Sequence, residues 1–448
     1  MGSKIDLSHK EEKMIIIGNT PPSSKLEDLN KVHSKLLDLK SKYILDKLFK
    51  NLTIDKKLLI IKYNKRLQKR LDISVNDFKD NLKIEIEIIP FPDKIDTIED
   101  RIINIDKEKE CFYHAYFNDN PEEIKIYNDE EDKLIRTIAV NYNKKNELIK
   151  KIKIVIDYEI KSLKGLFMRC DYIKKISFTK FKRKDINDLS RMFCDCWKLE
   201  EIDLSQVKTN NVTDLSEMFV SCYSLKELNV TNFVTINVIN MKGTFQHCSK
   251  LKELNVSNFD TTNVTNMESM FNGCSSLIQL DLSNFNTKNV TNMDNMFSYC
   301  EILKELNLSN FNTDNVTDRG FMFDSITSLE KINISNFNTS NVTYMGGMFR
   351  DCVKLKILDL SNFKTNKVYN MNQMFSNCKS LEILNISNFS FEKAYKFTKM
   401  FYGCKSLKEL KTPELKAKNV NVDEIDSKLN LGLSEKLKIK LQKTCNCF

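Results

Sequence analysis

From about residue 160 onward the apolar positions fall into a fixed pattern that returns every 26 residues. Within one copy, Leu277, Leu280 and Leu282 read L-x-x-L-x-L, and Leu280 and Leu282 alternate with polar Gln279 and Asp281. Such alternation predicts a short half-buried strand. The period then changes: Val290, Met293, Met296 and Phe297 are spaced three, three and one, which predicts a short helical or 3₁₀ segment returning the chain to the next strand. Aligned on cysteine, the copies fall at 170, 196, 222, 248, 274 and 300, then at Ile326, then at 352, 378 and 404. One copy cannot cover its own apolar side, so the copies must stack. The predicted fold is an α/β repeat: a solenoid of about ten coils with one parallel sheet, roughly 50 Å long at about 4.8 Å per strand. Between Glu122 and Thr412 there is no proline, as ladders that use every backbone N–H require.

The first third follows other periods. Ile44, Leu45, Leu48, Phe49 and Leu52 have helical spacing, and Leu58, Leu59 and Leu67 predict a second helix after Thr53. "KIEIEII" from Lys83 alternates strictly, and "CFYHAYF" and "KIKIVIDYEI" are aromatic or β-branched enough to join a sheet. A small α+β unit over 31–159 is therefore expected to cap the open end of a solenoid spanning 160–411. Residues 1–30 are expected to be disordered, 412–432 to form a C-terminal cap, and 433–448 to be a basic tail.

Asn258, Asn284, Asn310, Asn336, Asn362 and Asn388 recur just after the strand, where an amide can bond the backbone of a tight bend and its neighbour. The N-V-T triplets at Asn211, Asn263, Asn289, Asn315 and Asn341 also spell glycosylation acceptors, a spelling the repeat itself imposes. Stacked coils bring the column cysteines about 5 Å apart with parallel side chains, which disfavours disulfides. Ile326 stands in that column, and isoleucine replaces a buried small hydrophobe but not a disulfide partner. A buried thiol column in a reducing compartment is expected. Cys194 and Cys196 look like half a metal site, yet Cys196 belongs to the column and His9, His33, His114 and His247 form no ligand pair. No metal and no cofactor are predicted.

Composition narrows the class. Apolar residues at 41% and charged residues at 29% fit a folded, soluble chain. The net charge of +9 arises from 70 basic and 61 acidic residues, well mixed and without an arginine-rich arm, so nucleic-acid binding is not expected. No signal peptide or spanning segment is visible, and the Gly2 start carries Asp6 where a myristoylation motif wants Ser or Thr. Walker loops, G-x-S-x-G and His-rich clusters are missing, which argues against an enzyme.

The segment "MFNGCSSLIQLDLSNFNTKNVTNM" and its copies resemble the BspA-like leucine-rich-repeat proteins, the bacterial surface protein 26-residue repeat class. The resemblance covers about 160 to 411. It implies a leucine-rich-repeat solenoid used for adhesion or protein binding, in bacteria and in some parasitic protists. Familiar members are secreted or lipid-anchored at the N-terminus, a signal this chain lacks.

The tail reads differently. Cys445-Asn446-Cys447-Phe448 fits C-a-a-X, with a terminal Phe that points to geranylgeranylation of Cys445. Lys436, Lys438, Lys440 and Lys443 upstream supply the electrostatic signal that a single lipid chain needs. This predicts a eukaryotic-type member at the cytoplasmic face of the plasma membrane, with cytoplasmic and cell-surface locations as alternatives. On the solenoid, the exposed strand positions form two columns. Glu201, Glu227, Glu253, Glu305, Ile357 and Ile383 belong to one, and Asp203, Asn229, Asn255, Asp281, Asn307, Asp359 and Asn385 to the other. Together they are the candidate binding face for a protein partner, with Ile357 and Ile383 as its apolar patch. The expected function is a membrane-held interaction scaffold. Two alternatives stay open: a substrate receptor for ubiquitination, since the helical pair resembles an F-box, and a secreted adhesin.

Overall fold

The computed structural model describes residues 160–413 except 318, 319 and 397, together with 47–49, 65–71, 83–91, 115–117, 123–128, 133–139 and 152–156. The chain divides into two compact units, Met1–Leu82 and Lys83–Phe448. In the first, residues 47–49 are helical and α1 spans Lys65–Leu71, with Phe49, Leu67 and Leu71 buried. The rest of the predicted helical pair lies outside the described residues, as do residues 1–30 and the tail 433–448 with Cys445, Lys436, Lys438, Lys440 and Lys443. Of the expected C-terminal cap only residues 412 and 413 are described.

The second unit is a β-solenoid whose 26-residue coils make about nine turns between Cys170 and Cys404. Its N-terminal edge is sealed by strands of opposite direction. β1 (Ile84–Pro90) pairs antiparallel with β5 (Ile152–Ile156) on one side and with β6 (Ile173–Phe181), the first coil strand, on the other. Strict alternation in β1 puts Ile84, Ile86 and Ile88 fully inside, where they close the apolar end of the stack. β2 (Ala115–Phe117), β3 (Glu123–Asn128) and β4 (Lys133–Ala139) form a separate antiparallel meander. Further coil strands are three residues each: β7 (Glu201–Asp203), β8 (Glu305–Asn307), β9 (Lys331–Asn333), β10 (Ile357–Asp359), β11 (Ile383–Asn385) and β12 (Glu409–Lys411). They pair in parallel with a register of 26, as in Leu358 opposite Leu384 opposite Leu410.

The return segment is not helical, contrary to its apolar spacing. Between Met267 and Cys274 alternate N–H groups do two jobs. Met267, Ser269, Phe271 and Gly273 donate to Asn292, Asp294, Met296 and Ser298 of the next coil at 2.8 to 3.0 Å. Met270, Asn272 and Cys274 instead close turns onto Met267, Ser269 and Phe271. Successive turns need a left-handed residue to change direction, and Ser269 (φ 55°) and Gly273 (φ 73°) supply it. The same pair of positions recurs as Arg191 and Asp195, Glu217 and Ser221, and Asn295 and Tyr299. Because turns and 3₁₀ helix share the i to i+3 closure, the apolar pattern could not separate them. The consequence is a second inter-coil ladder, marked by parallel bridges from Ser162 to Asn292 and again from Tyr344 to Lys396.

Between the two ladders lies the core. Phe219, Phe245, Phe271 and Phe297 stack ring on ring with centroids 5.8 to 5.9 Å apart, an offset arrangement worth about 0.5–1.5 kcal/mol per pair beyond area burial. Val290, Met293, Met296 and Leu277 are fully buried, and all ten cysteines among the described residues are buried free thiols.

Candidate functional site

In β7 to β12 the central leucine or isoleucine turns toward the core while the flanking two face outward, and Leu228 and Leu254 are buried at the same place in coils whose described residues form no strand. This puts the predicted columns on the surface: Glu201, Asp203, Glu227, Asn229, Glu253, Asn255, Asp281, Glu305, Asn307, Ile357 and Asp359 are exposed, and Ile383 and Asn385 are half-buried. In-register pairing sets Glu305 beside Lys331 and Ile357 beside Ile383.

The two columns differ in how far their side chains are already engaged. In the acid and amide column the oxygen is tied to the chain's own backbone: Ser205 N–H donates to Asp203 at 2.9 Å, Ser283 to Asp281 at 2.9 Å and Ser361 to Asp359 at 2.8 Å. Asn229, Asn255, Asn307 and Asn385 accept in the same way. These are Asx turns that end the strand. The backbone N–H of Ser283 holds the Asp281 carboxyl below its ordinary range, and the Ser361 hydroxyl does so for Asp359. The other column carries ion pairs instead. Lys175 meets Glu201 at 2.7 Å and Lys331 meets Glu305 at 2.6 Å, so these two carboxylates are paired within the column itself. Lys175 lowers the Glu201 pKa accordingly. Ile357, 62% exposed, stands out on this polar face.

Two further columns hold the coils in place and were read from sequence only in part. The post-strand asparagines bond as expected: the Asn284 amide donates to Val256, Ser257 and Phe259 carbonyls at 3.2, 3.0 and 2.8 Å. The N-V-T asparagines do likewise, with Asn263 donating to Ile236 at 2.7 Å and Asn289 to Thr262 at 2.8 Å. The threonines were missed. Thr261 is 1% exposed, donates its hydroxyl to the Asn286 carbonyl at 2.9 Å and accepts the Asn286 N–H at 2.8 Å. Their buried role is hidden by a residue type that ordinarily marks a loop.

The cysteine column is structural by the same token. Cys274 donates its thiol hydrogen to the Phe245 carbonyl at 3.2 Å, and the bond repeats from Cys196 to Cys404 with a break at Ile326. Burial pushes the Cys170 and Cys274 thiols up to about 12, far from thiolate chemistry at neutral pH. Among the described residues no three His, Cys, Asp or Glu side chains converge on a metal-sized point, and no helix is long and apolar enough to cross a membrane.

One surface feature was passed over altogether. Late in the solenoid Phe321, Tyr344, Tyr369 and Tyr395 form a chain of ring contacts with centroids 6.3, 6.3 and 5.7 Å apart. Its signal was available as departures from the repeat: tyrosine at 369 and 395 where earlier coils carry Thr213, Thr265 and Thr291, and three of the chain's ten glycines at 320, 346 and 347.

Comparison with known families agrees with this repeat geometry. The family described as "Mycoplasma protein of unknown function, DUF285" matches residues 161–255, 224–328 and 300–414, together more than half the chain. The chain belongs to this family. Overlapping DUF285 matches, each spanning several coils, are what a continuous stack without internal boundaries produces. DUF285 membership thus covers the solenoid and leaves residues 1–160 outside it. No curated protein matches the chain.

Proposed function

We propose that this protein is a non-enzymatic interaction scaffold that presents its solenoid to a protein partner while a lipid on Cys445 holds it at the cytoplasmic face of a membrane. The observation that carries the scaffold half is the pairing of Ile357 and Ile383 on adjacent strands, an apolar spot on a sheet face whose other columns are charged or amide-bearing. Solvent-facing isoleucine contributes nothing to the core, and covering it with a partner removes apolar area from water. The ladders behind it fix each side chain at a set spacing, so a partner meets a rigid surface and loses little to ordering. The membrane half is supported by the tail sequence alone, in which Lys436, Lys438, Lys440 and Lys443 precede Cys445.

A photo-crosslinking residue at position 357 tests the first half. It should trap a defined protein that, once purified, binds the native chain and fails to bind an I357K/I383K variant. If crosslinks from 357 are no more abundant than from Lys288 on another column, the sheet face is not the contact. Intact-mass measurement of the chain from its native source tests the second half: loss of the last three residues and gain of a prenyl group on Cys445 is expected, and an unmodified C-terminus rejects the anchor.

A further inference from the structure

The aromatic chain late in the solenoid is a departure from the repeat. In three earlier coils the residue after the N-V dipeptide is a threonine whose hydroxyl bonds the preceding coil, Thr213 to Asn187 at 3.2 Å, Thr265 to Ile239 at 3.3 Å and Thr291 to Thr265 at 3.2 Å, while Ile239 holds the same place in the coil between without a hydroxyl. Tyr369 and Tyr395 keep only the backbone donation, to Thr343 and Tyr369. Room for the rings has been cleared at several positions. A Cβ on Gly320 would lie 2.5 Å from the Tyr344 ring, one on Gly346 2.7 Å from its hydroxyl, and one on Gly347 2.3 Å from the Phe321 ring. The glycines seat Tyr344 and Phe321, and the aromatic chain they begin runs through Tyr369 to Tyr395 near the end of the solenoid.

The surroundings say what. Tyr395 is 68% exposed, and Phe391 and Tyr402 are exposed beside it in sequence. Residues 391–405 carry four lysines against one acid, Glu392. Lys396 and Lys399 hold their ammonium groups 5.7 Å from the Tyr395 and Tyr402 ring centres. Aromatic side chains among lysines suit either single-stranded nucleic acid or an anionic lipid surface. Ring geometry separates the two. Tyr369 and Tyr395 are stacked on each other at 20°, Tyr344 meets Tyr369 at 65°, and Lys396 lies over Tyr395. The Tyr395 face that meets Tyr369 is closed to a nucleobase and Lys396 stands by the ring, whereas a bilayer interface needs only amphipathic rings at headgroup depth with cations alongside.

We propose that the last described coil, which exposes Phe391, Tyr395 and Tyr402 among Lys393, Lys396 and Lys399, docks on the anionic interface of a lipid bilayer. This deepens the membrane half of the reading above and rests on it, but it does not require the lipid on Cys445.

The test uses the full-length chain made in bacteria, which carries no prenyl group, and flotation with vesicles of phosphatidylcholine with or without phosphatidylserine. Binding to the phosphatidylserine vesicles is expected. The K393E/K396E/K399E variant should lose about 100-fold in partitioning, at about fivefold per lysine, and K436Q/K438Q/K440Q/K443Q should retain the larger part. In a W197F background, Y395W should shift to the blue on binding and be quenched by brominated lipid. This readout does not depend on loss of binding, and an unfolding transition of the Y395W variant that matches the native one excludes misfolding as its source. The proposal is overturned if neutralising the tail lysines alone abolishes binding, if Y395W fluorescence is untouched by the vesicles, or if this coil captures single-stranded oligonucleotide and no vesicles. Absence of a prenyl group on native Cys445 would reject the anchor and leave these results unaffected.

Discussion

Cys300 donates its thiol hydrogen to the carbonyl of Phe271, 29 residues earlier, across 3.2 Å. That carbonyl also accepts the N–H of Cys274 at 3.1 Å, so one oxygen ties a turn to the coil that follows it. A thiol in this position is a packing group and a weak donor together. The column cysteines are therefore expected to resist alkylation in the native protein and to react when it unfolds. Burial raises the Cys274 thiol to about 12, so raising the pH from 7 to 9 should leave its reaction rate near the background of global opening. Mass-spectrometric counting of modified thiols against denaturant checks this, and fast modification of Cys274 below the unfolding transition contradicts it.

The threonine clamp should be energetically visible. Thr261→Val keeps the shape and removes the hydroxyl that bridges Thr261 to Asn286, leaving the Asn286 N–H and C=O to find other partners. A loss of about 1–3 kcal/mol is expected in urea denaturation. Thr262→Val, at an exposed position one residue on, should change stability by no more than about 0.5 kcal/mol. Equal effects at both sites would mean that the clamp does not hold the coils.

Much of this was legible in the repeat. The central strand residues, the Val-Met-Met-Phe core and the post-strand asparagines all follow from a pattern repeated at one spacing, because like residues meet like in a stack. What stayed hidden did so for identifiable reasons. The turns at Ser269 and Asn295 use left-handed backbone in residues that carry no compositional mark. Thr261 and Thr287 look like loop residues and are 1% exposed. Of the candidate face, exposure could be read from alternation, but the use of Asp203, Asp281 and Asp359 as turn acceptors could not, since it depends on where the next serine N–H points. The late aromatic chain is a departure from the repeat, and a consensus suppresses departures.

The irregular coil that carries Ile326 contains the one bidentate pair of the later solenoid among the described residues. Arg350 grips Asp324 with two bonds of 2.7 Å, and the Asp324 side chain is almost wholly buried. Burial raises the Asp324 pKa and Arg350 opposes that rise. The folded state therefore holds the Asp324 proton more tightly than the unfolded chain does, and its contribution becomes more favourable as pH falls through the folded value. Arg350→Met should cost about 3 kcal/mol at neutral pH by leaving a buried carboxylate unpaired. The gap between variant and native protein should narrow as the pH falls below neutral, since Asp324 takes up its proton above the ordinary carboxyl range. A gap that widens in acid would show that the pair is not what Arg350 contributes.

The register of 26 is tested most directly by distances along one column. Spin labels at positions 201, 305 and 409, all exposed or half-exposed and in the same strand column, lie four coils apart in succession, with 201 and 409 eight coils apart. With Cys111, Cys445 and Cys447 replaced and the buried thiols unreactive, pulsed electron-resonance distances should be about 20 Å for 201 to 305 and about 40 Å for 201 to 409, the steps of a stack at about 4.8 Å per coil. Two distances that fail to scale with the number of intervening coils would contradict the stacked solenoid and every surface column built on it.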